Sequence, residues 1–300
     1  MEYSIVKTLE SIKSGAITSE ELLYDIKGRN LHDVDLDNLH INIMDSGFSS
    51  LDDYLFLKTN RSELIIVGGR PSHGKSAFMF QVAFNVARKD PVHIFSLEMD
   101  HEMIVARILA GLLNRPVDAI LRGLVDKREL RQAHDKIKAL NCFIDERAGL
   151  NVAQIADAAK LRAKKHGTKL IVIDYLQIIA SKKGYSRNDE VAEISKALKE
   201  LAKELKVPVI VGSQLNRQCE ARGFATGNYQ PLLSDLRESG SIEQDADIVV
   251  AVHRESKYTG LRQNEADIII LKNRNGPTGE IAMNFFPAQT LFQDKFKDEI

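Results

Sequence analysis

The chain has little of what marks several classes of protein. Its 300 residues include only 2 cysteines, Cys142 and Cys219, which provide neither a disulfide framework nor the spacing of a metal site. Neither sign of charge prevails, because 41 Lys and Arg oppose 42 Asp and Glu, so no global positive field points to nucleic acid. No apolar run approaches the ~20 residues of a membrane span or belongs to a signal peptide with a cleavage site. These absences predict a cytoplasmic protein without membrane contact.

A glycine-rich segment is the most informative part of the sequence. It fits the pattern G-x-x-x-x-G-K-[S/T] and comprises Gly69, Arg70, Pro71, Ser72, His73, Gly74, Lys75 and Ser76, followed by Ala77. An apolar strand is predicted before it, at residues 64–67, and a helix after it, at residues 77–88. This order predicts a phosphate-binding loop whose backbone N–H groups hold phosphates, with Lys75 on the β and γ phosphates and Ser76 on Mg²⁺. A glycine-rich turn with a chance lysine is the alternative.

Periodicity divides the chain into two parts. Residues 1–46 contain two short amphipathic stretches and a polar linker, which predicts an N-terminal helical segment whose apolar stripe (Ile5, Leu9 and Ile12) needs a partner. Residues 47–300 alternate apolar strands with helices; strands are predicted at 64–67, 92–97, 142–145, 170–174, 207–212, 247–252 and 267–271. This alternation predicts an α/β domain with a mostly parallel, twisted sheet and helices on both faces.

Polar side chains end three of the predicted strands, at the edge where parallel sheets bind their ligands. Asp174 follows four apolar residues, as a carboxylate that holds Mg²⁺ beside a phosphate loop does. Glu98 is placed to deprotonate an attacking water, and the amide of Gln214 can donate to a γ-phosphate oxygen. Each also has an ordinary interpretation, namely a helix cap, a solvated helix start and a surface amide.

A basic hairpin is predicted near the end of the chain. Lys272 and Arg274 project to the same side because side chains alternate along a strand, and Asn-Gly-Pro at 275–277 turns the chain back into a strand at 281–286. Such a hairpin can carry two cations to the triphosphate of a neighbouring subunit, where an arginine finger stabilises transition-state charge. A solvated basic hairpin is the alternative.

Six segments in one order resemble the motif series of the bacterial and phage ring-forming replicative DNA helicases of the DnaB type. They are GGRPSHGKS at 68–76, FSLEM at 95–99, VIDYLQ at 172–177, SQLNR at 213–217, SDLRESGSIEQDAD at 234–247 and KNRNG at 272–276. The resemblance covers about residues 47–286. It implies a RecA-like P-loop NTPase fold, a homo-hexamer, and nucleotide bound between adjacent subunits. One departure is His73, which stands where the family often has Met.

The resemblance also implies a role for each residue at a matching position. The catalytic set is Glu98 as base, Lys75 on the phosphates, Gln214 as sensor of the γ-phosphate, and Lys272 and Arg274 acting in trans. The metal set is Ser76 and Asp174, which would bind Mg²⁺ together with the ATP substrate.

Contact with single-stranded DNA is expected at two places. The resemblance points to Arg237, Glu238 and Gly240, which match a stretch that holds the phosphate backbone in the central channel of the family. Lys182 and Lys183 lie in a glycine-containing segment and are a second candidate. A charged turn and a solvated loop are the alternatives, since no aromatic residue is interleaved to stack on bases.

Together these features predict an ATP-dependent DNA helicase: a hexameric replicative motor that moves along single-stranded DNA and unwinds duplexes. Family members usually carry a separate N-terminal domain that contacts primase, and only about 40 residues precede the motor here, so primase and a helicase loader are partners that the sequence leaves open. Two other functions also fit the motifs. One is a RecA- or RadA-like recombinase or another RecA-fold ring ATPase, and the other is a nucleotide-gated DNA-binding ring without unwinding activity.

Overall fold

The computed structural model describes residues 44–52, 54, 57, 61–179, 187–236 and 240–295. Backbone contacts divide the chain into Met1–Ile41 and Asn42–Ile300, and every element below belongs to the second unit. The predicted N-terminal helical segment, 1–46, lies outside the described residues except for its end. At that end Met44 and Ser46 are buried, and the Met44 N–H donates to the Leu57 carbonyl at 2.6 Å. The boundary at residue 46 stays a prediction.

A nine-stranded sheet forms the centre of the described region, in the order β3-β2-β4-β5-β1-β6-β7-β8-β9. The strands are β1 Leu64–Gly69, β2 Val92–Ser96, β3 Cys142–Asp145, β4 Leu170–Asp174, β5 Val209–Gln214, β6 Ile248–His253, β7 Glu265–Asn273, β8 Gly279–Phe286 and β9 Leu291–Asp294. The first six in spatial order pair in parallel, and β7 to β9 continue the sheet antiparallel.

Helices connect most of these strands. They are α1 Ser49–Asp52, α2 Lys75–Val86, α3 His101–Leu113, α4 Val117–Leu121, α5 Lys127–Lys138, α6 Val152–His166, α7 Arg187–Leu205, α8 Gln218–Thr226, α9 Gly240–Asp245 and α10 Ser256–Thr259, with 3₁₀ turns at Leu176–Ile178 and Leu233–Asp235. In the described part of the chain, no helix has both the length and the apolar character that a bilayer crossing requires.

The core lies on both faces of the sheet. Ile65 and Val67 of β1 belong to one buried cluster, together with Met79 of α2. Leu64 and Ile66 belong to the other, together with Leu198 of α7. Because successive strand residues point to opposite faces, this division requires helices on both sides. The predicted mostly parallel sheet with two helical layers is confirmed.

The C-terminal strand β9 packs against α2 and was not predicted. The Gln81 side chain of α2 donates to the Phe292 carbonyl and accepts from the Phe292 N–H, both at 2.8 Å, so one amide satisfies the backbone of an edge residue. Asp294 accepts from the Ser49 N–H at 2.9 Å.

The strand β5 begins later than the sequence predicts. Residues 207–212 are the predicted strand, but β5 starts at residue 209. Pro208 has no N–H, and the Val207 N–H donates to the Ala202 carbonyl at the end of α7.

Candidate active site

The phosphate loop, residues 69–76, joins β1 to α2 and lines a cavity of about 560 Å³. Gly74 precedes the first turn of α2 with a φ of 98°, and a Cβ at this position would lie 3.0 Å from the Phe292 ring and 3.1 Å from the Phe285 ring. Both the backbone conformation and the space therefore require glycine. The first residues of α2 line the cavity, so their free N–H groups and the positive helix end favour an anion there.

A buried ion pair stands at the wall of this cavity. Lys75 Nζ lies 3.2 Å from Asp174 Oδ1, and the side chains are 11% and 1% exposed. The Lys75 Nζ also lies 4.0 Å from the centre of the Tyr175 ring. Asp174 ends β4 at the edge where β1 and β5 also end, which brings the two predicted residues together although 98 residues separate them in sequence.

The Asp174 carboxylate fits a role in binding Mg²⁺. Neither of its oxygens has a hydrogen-bond partner in the described structure, and buried carboxylate oxygens require partners beyond a single cation. Ser76 lines the same cavity. The described residues contain no cluster of three or more His, Cys, Asp or Glu suited to a metal. Mg²⁺ usually takes one or two protein ligands together with waters and phosphate oxygens, so Asp174 and Ser76 suit an ion that arrives with a nucleotide.

Glu98 and Gln214 line the cavity with Lys75, as the sequence predicts. Glu98 follows β2, and Gln214 is the exposed last residue of β5. The Gln214 N–H donates to Gln177 Oε1 at 3.2 Å, while Gln177 Nε2 donates to Ser213 Oγ at 3.1 Å. Glu98, Gln214 and Lys75 therefore share one cavity, and Asp174 adjoins it through its ion pair with Lys75.

Lys272 and Arg274 lie at the opposite edge of the sheet. Asn273 between them pairs with Ile248, at the start of β6, whereas the phosphate loop follows the far end of the adjacent β1. A strand of six residues spans about 16 Å, which separates the two edges. The cations therefore point away from the phosphate loop of their own chain.

Both cations have partners at the C-terminal end of α9. Lys272 Nζ donates to two carbonyls, one of them at 2.7 Å, and Arg274 donates to a third and forms an ion pair at 3.3 Å. The partners are the carbonyl oxygens of Glu243, Gln244 and Ala246 and the carboxylate of Asp247. Cations at this end of a helix offset its negative pole. Burial, and next the neighbouring Arg274, lowers the pKa of Lys272.

A family model described as "DnaB-like helicase C terminal domain" matches residues 44–294. The chain belongs to this family. The match includes the phosphate loop, the strand-end residues and the basic hairpin. The predicted resemblance is thus confirmed.

Over their aligned residues, the curated relatives described here are 33% to 41% identical to this member of the DnaB-like family. The replicative DNA helicase DnaB of Leifsonia xyli subsp. xyli is 41% identical over 257 residues, which are 83% of this chain and 55% of that protein. Its namesake in Geobacillus stearothermophilus is 40% identical over 256 residues, 82% of this chain and 55% of that one. A probable plasmid replicative DNA helicase of Chlamydia psittaci is 33% identical over 290 residues, which are 94% of this chain and 61% of that protein. The chain spans somewhat more than half the length of these relatives.

Solved structures agree with the DnaB-like assignment. One, described as a DnaB-like replicative helicase and its interactions with primase, has a TM-score of 0.78 and 30% identity over 98% of this chain and 76% of that chain. A solved ATPase domain has a TM-score of 0.78 and 31% identity over 95% of this chain and 99% of that chain. These likenesses confirm the RecA-like fold.

Arg107 is a cavity residue that sequence reasoning missed. It lies on α3 and lines the cavity with Glu98. Burial lowers the pKa of its guanidinium, against the opposing charges of Asp174 and Glu98, and within the described residues it makes no hydrogen bond or ion pair. The sequence feature that could have revealed it is the position of an arginine on the apolar face of α3, beside Ile104 and Ile108. An unpaired guanidinium beside a phosphate loop suits phosphate oxygens.

The candidate DNA contacts lie mostly beyond what is described. Lys182, Lys183, Arg237 and Glu238 fall outside the described residues. Gly240 is described: it is the exposed first residue of α9, with open space around it. Contact with DNA at these positions stays a prediction.

The His73 side chain lies behind the phosphate loop and does not line the cavity. It is buried, its Nδ1 accepts from the Arg254 N–H at 3.1 Å, and its ring lies 5.5 Å from that of Tyr258. Burial, with smaller contributions from His253 and Arg254, lowers the pKa of His73 to about 3. The side chain therefore holds the loop against the end of β6 as a neutral imidazole, and only its backbone is available for phosphate.

Replacing His73 with methionine is expected to flatten the acid side of the stability profile. The unfolded chain takes up a proton near pH 6.5 that the folded chain takes up only near pH 3, so the free energy of unfolding falls as pH drops below about 6.5. From pH 7.5 to pH 5, His73→Met should lose about 2 kcal/mol less than the parent chain. Urea unfolding at both pH values measures this difference, and equal losses would show that the imidazole titrates normally.

Proposed function

We propose that this chain is the motor domain of an ATP-driven DNA helicase that works as a homo-hexameric ring. In each interface one subunit binds ATP and Mg²⁺ through its phosphate loop, and the next subunit supplies Lys272 and Arg274. Hydrolysis moves the ring along single-stranded DNA and unwinds the duplex ahead. The observation that carries this proposal is the placement of the cations at the sheet edge opposite the phosphate loop.

The chemistry at the loop follows from the groups that face the cavity. Lys75 and the α2 N–H groups neutralise the β and γ phosphates, and Glu98 accepts the proton of the attacking water. Gln214 donates to a γ-phosphate oxygen. Asp174 and Ser76 would hold Mg²⁺, which when bound neutralises charge on the β and γ phosphates. Groups held on strand ends keep their positions without reorganisation, which favours the transition state.

The ring follows from what this set lacks. Among the described residues lining the cavity, the hairpin contributes Phe285, but neither Lys272 nor Arg274 is present. If Lys272 and Arg274 serve the reaction, they must serve the cavity of another copy. In such a contact the hairpin side of one subunit meets the phosphate-loop side of the next, so the same contact can repeat from subunit to subunit. Repeated head-to-tail contacts of this kind close into rings or extend as filaments. The names of the relatives, replicative DNA helicases, favour the ring.

Partners are proposed on the same basis. Single-stranded DNA would contact the segments around Lys182, Lys183, Arg237, Glu238 and Gly240, holding its backbone without reading its bases. One similar structure is described with primase interactions, so we propose primase, and with it a helicase loader, as candidate partners of the intact protein. Such a replication motor would act in the cytoplasm.

Unwinding of a forked DNA substrate in the presence of Mg-ATP tests the function. We expect strand displacement that requires hydrolysable nucleotide and is absent from the Lys75→Ala variant, with rings in electron micrographs. Filaments in place of rings would indicate a recombinase. Rings that bind DNA and hydrolyse ATP yet release no strand would indicate a nucleotide-gated clamp. Either result would overturn the proposal.

A further inference from the structure

We propose that Gln177 is a positioning residue that sets the place of Gln214 in the reaction. This inference rests on the proposed role of Gln214 as the group that contacts the γ-phosphate. Gln177 lies in the 3₁₀ turn that follows β4, 37 residues from Gln214 in sequence. It does not line the nucleotide cavity, so it would act on hydrolysis through Gln214.

The side chain of Gln177 extends a strand pairing that the backbone does not continue. The β4–β5 ladder ends where Ile173 pairs with Val211, because the chain leaves β4 after Asp174. Beyond that point, β5 has a strand partner on the β1 side alone. The Gln177 amide fills the other side: its Oε1 accepts from the Gln214 N–H at 3.2 Å, and its Nε2 donates to Ser213 Oγ at 3.1 Å. A primary amide has the oxygen acceptor of a peptide unit. Gln177 therefore offers the Gln214 N–H the acceptor that β4 no longer provides, while its own NH₂ group binds the Ser213 side chain.

The end of β5 needs this support because it passes close to the charged pair. A Cβ at Gly212 would lie 3.0 Å from Asp174 Oδ1 and 3.2 Å from Lys75 Nζ, so the strand runs against the groups that bind phosphate and metal. Two residues later the Gln214 side chain stands at the cavity, with no hydrogen bond to its own amide within the described residues. Its reach toward a γ-phosphate is therefore set by its backbone. A misplacement of about 1 Å lowers rates by up to about 100-fold in such sites.

Replacing Gln177 with methionine tests the inference, since methionine keeps the length of the side chain and removes the amide. We expect kcat for ATP hydrolysis to fall by about 10- to 100-fold, while KM for ATP and the Kd for Mg-ADP stay within about twofold, because ADP has no γ-phosphate for Gln214 to contact. The Gln177→Glu variant is the matched control. One carboxylate oxygen can still accept from the Gln214 N–H and the other from the Ser213 hydroxyl, so this variant should recover part of the lost kcat.

A double-mutant cycle separates this inference from the proposed function. If Gln177 acts through Gln214, Gln177→Met should cause little further loss in a Gln214→Ala background. Hydrolysis unchanged in Gln214→Ala alone would reject the sensor role of Gln214, and with it the proposed site. A large loss in Gln214→Ala, combined with parent-like kcat in Gln177→Met or with multiplying losses in the double variant, would reject only the positioning role. Equal loss of Mg-ADP binding and kcat would show a general defect of the fold and also reject it.

Discussion

Replacing Arg274 with alanine is expected to lower kcat for ATP hydrolysis by about 10³-fold, with the Kd for Mg-ATP changed by no more than about threefold. The guanidinium would stabilise charge that develops on the γ-phosphoryl group in the transition state, whereas the phosphate loop of the other chain binds the ground state. Steady-state hydrolysis and equilibrium binding of a fluorescent nucleotide measure the two quantities. Arg122→Ala, which removes an exposed arginine from a surface ion pair with Asp118, is the matched control.

Mixed rings test whether Arg274 acts in trans. Chains carrying Arg274→Ala keep an intact phosphate loop, and chains carrying Lys75→Ala keep an intact hairpin, so an equal mixture contains complete sites at about a quarter of its interfaces. We expect the mixture to hydrolyse ATP faster than either variant alone. A mixture of parent chains with Lys75→Ala chains controls for inhibition that spreads around the ring. Parent-like hydrolysis by Arg274→Ala itself would remove the shared-site proposal.

Replacing Lys75 with alanine is expected to abolish hydrolysis, with a loss of at least about 10³-fold in kcat, and to weaken nucleotide binding. The variant loses the only side-chain amine that the described structure places beside both the phosphate loop and Asp174. Its second effect is on the fold. Asp174 is left as a buried carboxylate without its cation, which should lower the free energy of unfolding by about 3–5 kcal/mol.

A double variant separates these two effects. Lys75→Ala combined with Asp174→Asn removes the unpaired charge, so urea unfolding should show most of the lost stability restored. Hydrolysis should stay absent, because neither the phosphate nor the metal group returns. If Lys75→Ala alone unfolds at the same urea concentration as the parent chain, the pair is better solvated than its burial indicates. If it hydrolyses ATP at the parent rate, the assignment of the phosphate loop is wrong.

Strand ends were the predictable part of the site. Runs such as 170–174 are apolar and end in a charged residue, and parallel strands bring such ends to one edge, so Asp174, Glu98 and Gln214 could be placed together without coordinates. The phosphate loop was equally predictable, because its pattern and flanking elements agree. The phosphate loop and the strand-end residues could be predicted because they depend on local sequence and on the rule that parallel strands bring their carboxyl ends together.

The rest depended on contacts between distant segments. Gln177 pairs with Ser213 and Gln214 through a side chain, and no periodicity marks such a bond. The position of Arg107 at the cavity could not be predicted, because it depends on how α3 is rotated about its axis in the folded chain. The hairpin was predicted correctly, but the partners of Lys272 and Arg274 were not, because the carbonyls of α9 reach them only through the packing of the whole sheet. β9 is four residues of mixed character, which gives too short a pattern to separate from a loop.

The residues that pack behind the phosphate loop lie far from it in sequence, which has a consequence for shortened versions of the chain. Gly74 lies against Phe285 and Phe292, and Gln81 is bonded to the backbone of Phe292, although the loop itself is complete by residue 76. A version of this chain cut at residue 280 would keep every motif of the site and lack both aromatic rings. We expect such a product to carry the sequence of the phosphate loop without the packing that holds its shape, so the presence of the motifs alone would not make it able to bind nucleotide.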